Sequence, residues 1–375
     1  MSRLAGLVVT TLCFVGCQAA APDGVPFGSA SSEVATTSTS TGTSTSTTSS
    51  STSTSTATAT DVSTSTSTSD AVVGGSSSSG AAPPDFGAVA PDGCQGKVDI
   101  IFAISTEYPM KEYQPRLIAA FPEFAQALEE ELGGFDLHIL VTDSSHTWSM
   151  DDCSLCQDPA DCDPDGVPDL CGATIDECDY TMGSGETFAS ELGSSGRRCK
   201  LAGGHRYITS EEPDLPAAFD CLARVGWGSA TPLAFDSILA ALDHSLIETG
   251  VELNSPGGCN EGFLRDDALL LLVIIQNTYE YGSLGGPYQW KKALYAVKGG
   301  DEDAVVALAI TADNDISPNL CAPGEPPLDK NRMRIFMEEQ LKHGNMASIC
   351  APAYGPFFKD VAAQLAMLCD QFIPD

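Results

Sequence analysis

The run Ala268–Gln276, ALLLLVIIQ, constrains this chain more than any other segment. Its apolar residues follow one another without polar alternation, so neither side of an extended strand is left for water. Such a strand belongs in the middle of a parallel sheet covered by helices on both faces. The neighbouring segments supply the rest of that architecture. Lys97–Ile104 and Phe135–Thr142 read as further strands, Ala304–Thr311 as another, and Arg206–Thr209 and Ala347–Cys350 as short ones. Between them, Lys111–Leu132 repeats Leu117, Ile118, Phe121, Phe124, Ala125, Leu128 and Leu132 at helical spacing and stops at Gly133-Gly134. Leu215–Ala223, Pro232–Thr249, Tyr288–Val297, Lys330–Gly344 and Phe357–Phe372 read as the other helices. Strands alternating with helices predict an α/β fold, a doubly wound, mostly parallel sheet spanning residues 94–375. Ligands of such sheets sit outside the carboxyl ends of the strands.

One stretch does not fit the alternation. From about 144 to 205 the chain is rich in Cys, Gly and Asp with little periodicity, so cross-links must shape it. The chain has 14 Cys. Setting aside Cys13 and Cys17 leaves an even set at 94, 153, 156, 162, 171, 178, 199, 221, 259, 321, 350 and 369. With an export signal ahead of them they read as disulfides, whose pairing the sequence does not give; zinc at Cys153 and Cys156 is the weaker alternative because no paired His accompanies them. The formal net charge is -33, from 51 acidic against 18 basic residues. That balance argues against nucleic acid and anionic lipid as partners and favours solubility or basic partners.

The export signal lies at the start. A basic Met1–Arg3 precedes the apolar Leu4–Val15, too short to span a bilayer and suited to a signal-peptide core. It ends Phe14-Val15-Gly16-Cys17, which resembles the lipobox of bacterial lipoproteins. That resemblance implies a signal peptide over 1–16, lipidation of Cys17, and, with Gln18 next, an outer-membrane or cell-surface location; ordinary secretion with cleavage in QAAAPD is the alternative. Residues 30–82 are nearly all Ser and Thr, with too little to bury to offset the entropy of ordering. The segment 17–93 is therefore expected to be a disordered tether, open to O-glycosylation, reaching roughly 250 Å extended or about 50 Å as a coil.

The segments VDIIFAI, EYQPRLIAAFPEFAQAL, DLHILVTD and GFLRDDALLLLVII agree in order and spacing with one family. Over about Lys97 to Phe372 the chain resembles a von Willebrand factor type A (vWA) domain of the kind found in myxobacterial outer-surface lipoproteins, a Rossmann-like fold. Metal-binding members hold Mg²⁺ or Mn²⁺ through an Asp and two Ser in a first loop, a Thr in a second, and an Asp after the central strand. Here Ser105 stands for the first Asp, Glu107 and Pro109 for the two Ser, Thr231 for the Thr, and Asn277 for the last Asp. Magnesium surrenders water reluctantly and needs negative charge, so one glutamate predicts a degenerate, metal-free site. Two fates are open for the loop: it simply ends a strand, or Glu107 folds over the pocket as a built-in carboxylate.

A second metal candidate is DCDPDGVPD, where Asp161, Asp163, Asp165 and Asp169 surround Gly166 in the spacing of a calcium loop. Position 172 is Gly rather than the bidentate Glu, and an acidic turn pinned by Cys162 and Cys171 is the plainer reading. No other cofactor is expected. No Gly-Xaa-Ser-Xaa-Gly elbow outside the Ser-rich tether, no His-Glu-Xaa-Xaa-His and no phosphate-cradling loop is present, and the five His are scattered. His205 reads as a structural hydrogen-bonder; Trp148 and Trp227 read as packing residues or as part of a recognition surface. The resemblance implies a non-catalytic, lipid-tethered binding or adhesion module engaging extracellular protein or polysaccharide. A hydrolase-type enzyme on the same sheet and a passive envelope component are the alternatives.

Overall fold

The computed structural model describes residues 94, 96–132, 136–144, 174–228, 231–246 and 250–372. Six strands form one sheet: β1 Lys97–Ile104, β2 Asp136–Asp143, β3 Ile208–Thr209, β4 Leu269–Gln276, β5 Val305–Thr311 and β6 Gly344–Ser348. Their order is β3-β2-β1-β4-β5-β6, all parallel except β3, which runs antiparallel to β2. This is the doubly wound order, with the chain reversing direction of travel across the β1–β4 pair. The fold class is that expected from the apolar pattern and the resemblance.

Each strand sends alternate residues to opposite helical layers. Ile100, Phe102 and Ile104 of β1, with Leu271, Val273 and Ile275 of β4, face one core. It is closed by α1 Met110–Leu132, α2 Leu215–Ala223 and α6 Gly355–Cys369. Phe102 is its hub, with the rings of Phe121, Phe124, Phe219 and Phe358 all centred within 6.4 Å. Ile101 and Ala103, with Leu270, Leu272 and Ile274, face the second core. This one is closed by α3 Ala234–Ala241, α4 Pro287–Val297 and α5 Arg332–Ile335. Phe235 stacks on Trp290 at 3.8 Å there, with Phe336 edge-on to both.

Three elements depart from the pattern for reasons visible in the structure. The helix expected over Pro232–Thr249 is α3, and it ends at Ala241. Asp243 takes a left-handed φ of 57° and its carboxylate accepts the amides of Leu253 and Asn254, a local alternative that outcompetes further helix. The helix expected over Lys330–Gly344 is short, widening to an i→i+5 turn at Phe336–Gln340, because β6 already begins at Gly344. A Cβ at Gly344 would lie 2.0 Å from the carbonyl of Met337, so only glycine lets β6 pass the helix so closely. The strand expected at Ala347–Cys350 is thus shifted toward the amino terminus, and Cys350 lies beyond it, bonded to Cys321.

Among the described residues four disulfides are present: Cys94–Cys369, Cys178–Cys259, Cys199–Cys221 and Cys321–Cys350. Two of them tie the described part of the insertion, 174–205, to the loop before β4 and to α2. The insertion is also pinned by charge. The enclosed Asp179 carboxylate receives Arg198 at 2.9 and 2.6 Å and Arg206 at 2.9 Å. Burial alone would push this carboxyl up; the hydrogen bonds from Arg198, the Asp176 amide and Arg206 outweigh it and hold it low. The amide of Glu186 bonds the Val141 carbonyl at 2.7 Å, satisfying β2 where the short β3 no longer reaches.

Candidate functional site

The site is built where β1 and β4 end. β1 leaves the sheet at Ser105, whose amide still bonds the Ile275 carbonyl of β4 at 2.9 Å. Thr106 follows, and Tyr108-Pro109 turn the chain into α1, with the Met110 amide donating to the Glu107 carbonyl. Pro109 is an early residue of that helical turn, where the missing amide costs nothing. The tight turn leaves Ser105 and Thr106 wholly enclosed and Glu107 only 7% exposed, while Tyr108 is 65% exposed.

Glu107 is folded back over the strand ends. Its Oε2 accepts the Thr278 hydroxyl at 2.5 Å and the Ser105 hydroxyl at 3.5 Å, and its amide donates to Ser105 Oγ at 3.3 Å. Burial pushes the carboxyl above its ordinary value, and the two hydroxyls offset part of that rise. Of the two fates open to the loop, the geometry is that of the built-in carboxylate.

The other expected positions are divided. Ser105 joins Glu107. Thr231 makes no hydrogen bond to the β1 loop; its methyl packs where a Cβ on Gly282 would fall. Asn277 Oδ1 is enclosed with no partner, and the hydroxyl that reaches Glu107 belongs to the next residue, Thr278. Thr278 is further fixed through its carbonyl, which accepts Gln276 Nε2 and the Thr311 hydroxyl. Gln114 and Ser144 also carry the loop: Gln114 Nε2 donates to the carbonyls of Ser105 and Gly226, and Ser144 Oγ accepts the Thr106 amide. The sequence signal for Thr278 and Ser144 was their place just past a strand end; Gln114, an enclosed polar residue on an apolar helix face, carried none. Among the described residues no three His, Cys, Asp or Glu side chains converge as metal ligands.

The insertion forms one rim of this site. The Gly228 amide bonds the Thr106 carbonyl at 2.7 Å, and Trp227 bridges to Leu192 of the insertion. Trp227 lies so flat on Gly193 that a Cβ there would come 1.8 Å from its ring, and Gly193 has φ 74°. Trp227 thus packs against the insertion and is partly buried. Around the opening, Tyr108, Tyr281 and Leu192 are exposed by 65, 56 and 61%.

The histidines lie elsewhere. His138 Nδ1 meets the Phe263 carbonyl at 2.8 Å beside the enclosed Asp99–Arg265 pair, near the amino ends of the strands. His343 pairs with Asp303 at 2.6 Å. His205 stacks on Tyr207 at 4.9 Å, and among the described residues its ring makes no hydrogen bond of the kind expected at the strand entrance. Cys17, the tether, Trp148 and the calcium candidates Asp161, Asp163, Asp165 and Asp169 lie outside the described residues, and no described helix is long and apolar enough to cross a membrane.

No family model matches the chain, and no curated protein does. Among solved structures it is similar to proximal thread matrix protein 1 from the mussel byssus in two crystal forms. The first likeness has 11% identity and a TM-score of 0.33 over 73% of this chain; the second has 9% and 0.30 over 74%. Each alignment covers 47% of the mussel chain, so the likeness spans about half of that protein's length.

Proposed function

We propose that the chain is a non-catalytic, surface-displayed binding or adhesion module of the type A kind, whose carboxyl-end site works without a metal ion. The observation that carries this reading is the Glu107 carboxylate, bonded to Thr278 and Ser105 over the strand ends where a metal would be held. A single carboxylate already engaged by two hydroxyls leaves a magnesium ion too little charge and too few free oxygens. The partner is an extracellular protein or polysaccharide. Display follows from lipidation at Cys17 and the Ser/Thr-rich tether; the four disulfides support an oxidising compartment outside the cytoplasm.

The test compares the purified chain with a variant carrying Ser105→Asp, Glu107→Ser, Pro109→Ser and Asn277→Asp. Metal analysis after equilibration with Mg²⁺ and Mn²⁺ should find ion bound to the variant and none to the parent; equal metal in both contradicts the reading. For display, mass spectrometry of the mature amino terminus should find diacylated Cys17, and Cys17→Ser should release the chain from membranes. A parent chain that captures nothing from surface extracts through this face would make it a passive envelope component.

A further inference from the structure

We propose that the Cys178–Cys259 bridge is a thiol–disulfide exchange site of the folded protein, opened through a surface cavity by small thiols that carry a positive group. It shares no residue with the carboxyl-end site and stands whether or not that site binds a metal.

Access singles out this bridge. The turn Glu177–Tyr180 and the loop 251–259 flank an open cavity of about 340 Å³, and both Cys178 and Cys259 line it. That volume lies at the small end of the range for small-molecule sites. Both cysteines are half-buried. The other described bridges are placed differently. Cys94 and Cys369 are 1 and 7% exposed, and Cys199 and Cys221 are each 8% exposed, so a thiol reaches them only after the core opens. Cys321 and Cys350 are half-buried too, but the Ser348 hydroxyl stands 3.7 Å from one sulfur and the Tyr113 hydroxyl 3.9 Å from the other.

The contacts beside the bridge keep the chain folded once it opens. Asn260 is fully enclosed; its Nδ2 donates to the Gly183 carbonyl and its Oδ1 accepts the Gly185 amide, both at 2.9 Å. These bonds tie the loop to the insertion independently of the sulfurs. Cys199–Cys221 and the pairing of Arg198 and Arg206 with Asp179 hold the insertion elsewhere. Exchange then proceeds in two steps. A thiolate attacks one sulfur, the Cys178–Cys259 bond breaks, and its electron pair leaves on the other sulfur, which takes a proton from water. A second thiolate attacks the resulting mixed disulfide and frees the second cysteine, so two small thiols are oxidised to one small disulfide as the protein bridge is reduced. Charge selects the thiol. Glu177 and Glu252 line the cavity, Glu261 accepts the Gly257 amide beside it, and among the described lining residues none is basic. The attacking thiolate is itself an anion, so a positive group on the same molecule offsets the repulsion and a second negative group adds to it.

The test treats the oxidised full chain with cysteamine at low salt, quenches with N-ethylmaleimide and reads every cysteine by peptide mass spectrometry. Near-ultraviolet circular dichroism follows the fold in parallel. Cys178 and Cys259 should be alkylated or carry cysteamine while the other three described bridges stay closed and the dichroism is retained. Opening of all four together with loss of the dichroism overturns the inference, and so does earlier opening of Cys321–Cys350. Each thiol's rate is divided by its rate on an uncharged small disulfide, which removes differences in intrinsic reactivity. On that scale cysteamine should exceed mercaptoethanesulfonate by about threefold or more, and added salt should shrink the gap. Glu177→Gln combined with Glu252→Gln, both at exposed positions, should bring the two rates together; an unchanged ratio overturns the charge selection. Val251→Trp, on the cavity wall, should slow the opening of Cys178–Cys259, and an unchanged rate overturns the cavity as the route.

Discussion

Replacing Cys94 and Cys369 by Ala should remove a large share of the stability of the domain. The bridge sits at the junction where the Ser/Thr-rich segment gives way to the sheet. Cys94 lies three residues before β1, and its amide bonds the Cys369 carbonyl at 2.9 Å. It joins positions 275 apart, so in the unfolded chain it closes a very long loop. Among the described residues three other bridges lie inside that loop; Cys199–Cys221 is nested within Cys178–Cys259, so the two that do not overlap, with separations of 81 and 29, shorten its effective length to roughly 170 residues. The loop-entropy relation then gives about 5 kcal/mol, since the cost grows only with the logarithm of length. At roughly 2–4 °C per kcal/mol for a domain near this size, melting should fall by roughly 10–20 °C. Urea denaturation of the oxidised parent and the double variant measures this directly, and the variant's m-value should rise because its denatured state is more open. A loss below about 1 kcal/mol with an unchanged m-value would refute the reasoning, because the denatured chain would then be no freer without the bridge. On the proposed reading of a displayed module the placement matters: a pull on the amino-terminal segment reaches Cys94 first and is passed to α6 before it can peel β1 from the centre of the sheet.

Glu107→Gln should stabilise the fold relative to the parent at pH 8 and lose that advantage toward pH 4. A carboxyl whose folded pKa is raised contributes stability that is fully present below its unfolded value and is lost as pH rises through the folded one, so the parent should fall behind the neutral variant with increasing pH. Melting curves of both proteins across that range check the sign, and a variant less stable than the parent at pH 8 contradicts it. Phe102→Ala should cost about 3–5 kcal/mol, because four aromatic neighbours surround the cavity and only partly collapse into it, as urea denaturation would measure. Gly193→Ala should displace Trp227 and destabilise by about 1–3 kcal/mol, read as a changed tryptophan emission together with a lower melting temperature.

Much of the scaffold was legible in the residues because burial leaves a period. The three- and four-residue spacing in α1 marks a helix, the uninterrupted Leu269–Ile275 run is too short for a buried helix and so reads as a strand, and both elements lie where the pattern put them. Reading failed where a side chain competes with the backbone: Asp243 ends α3 through bonds to residues ten and eleven positions later, a contact no local pattern encodes. The site divides the same way. Aligning residues with the first loop of a metal-binding family singled out Ser105 and Glu107, yet the hydroxyl opposite them is that of Thr278, one step past the position of Asn277. A strand's end does not specify which of two successive side chains turns inward.

Composition and periodicity by themselves determined a chain that forms a helix-covered parallel sheet with a cross-linked insertion, since apolar spacing and cysteine number are local quantities that survive in one dimension. The direction of the Glu107 carboxylate and the pairing of the four described disulfides were decided only by tertiary structure. Each depends on which segments meet in space, and residues 107 and 278 become neighbours only once β1 and β4 lie side by side.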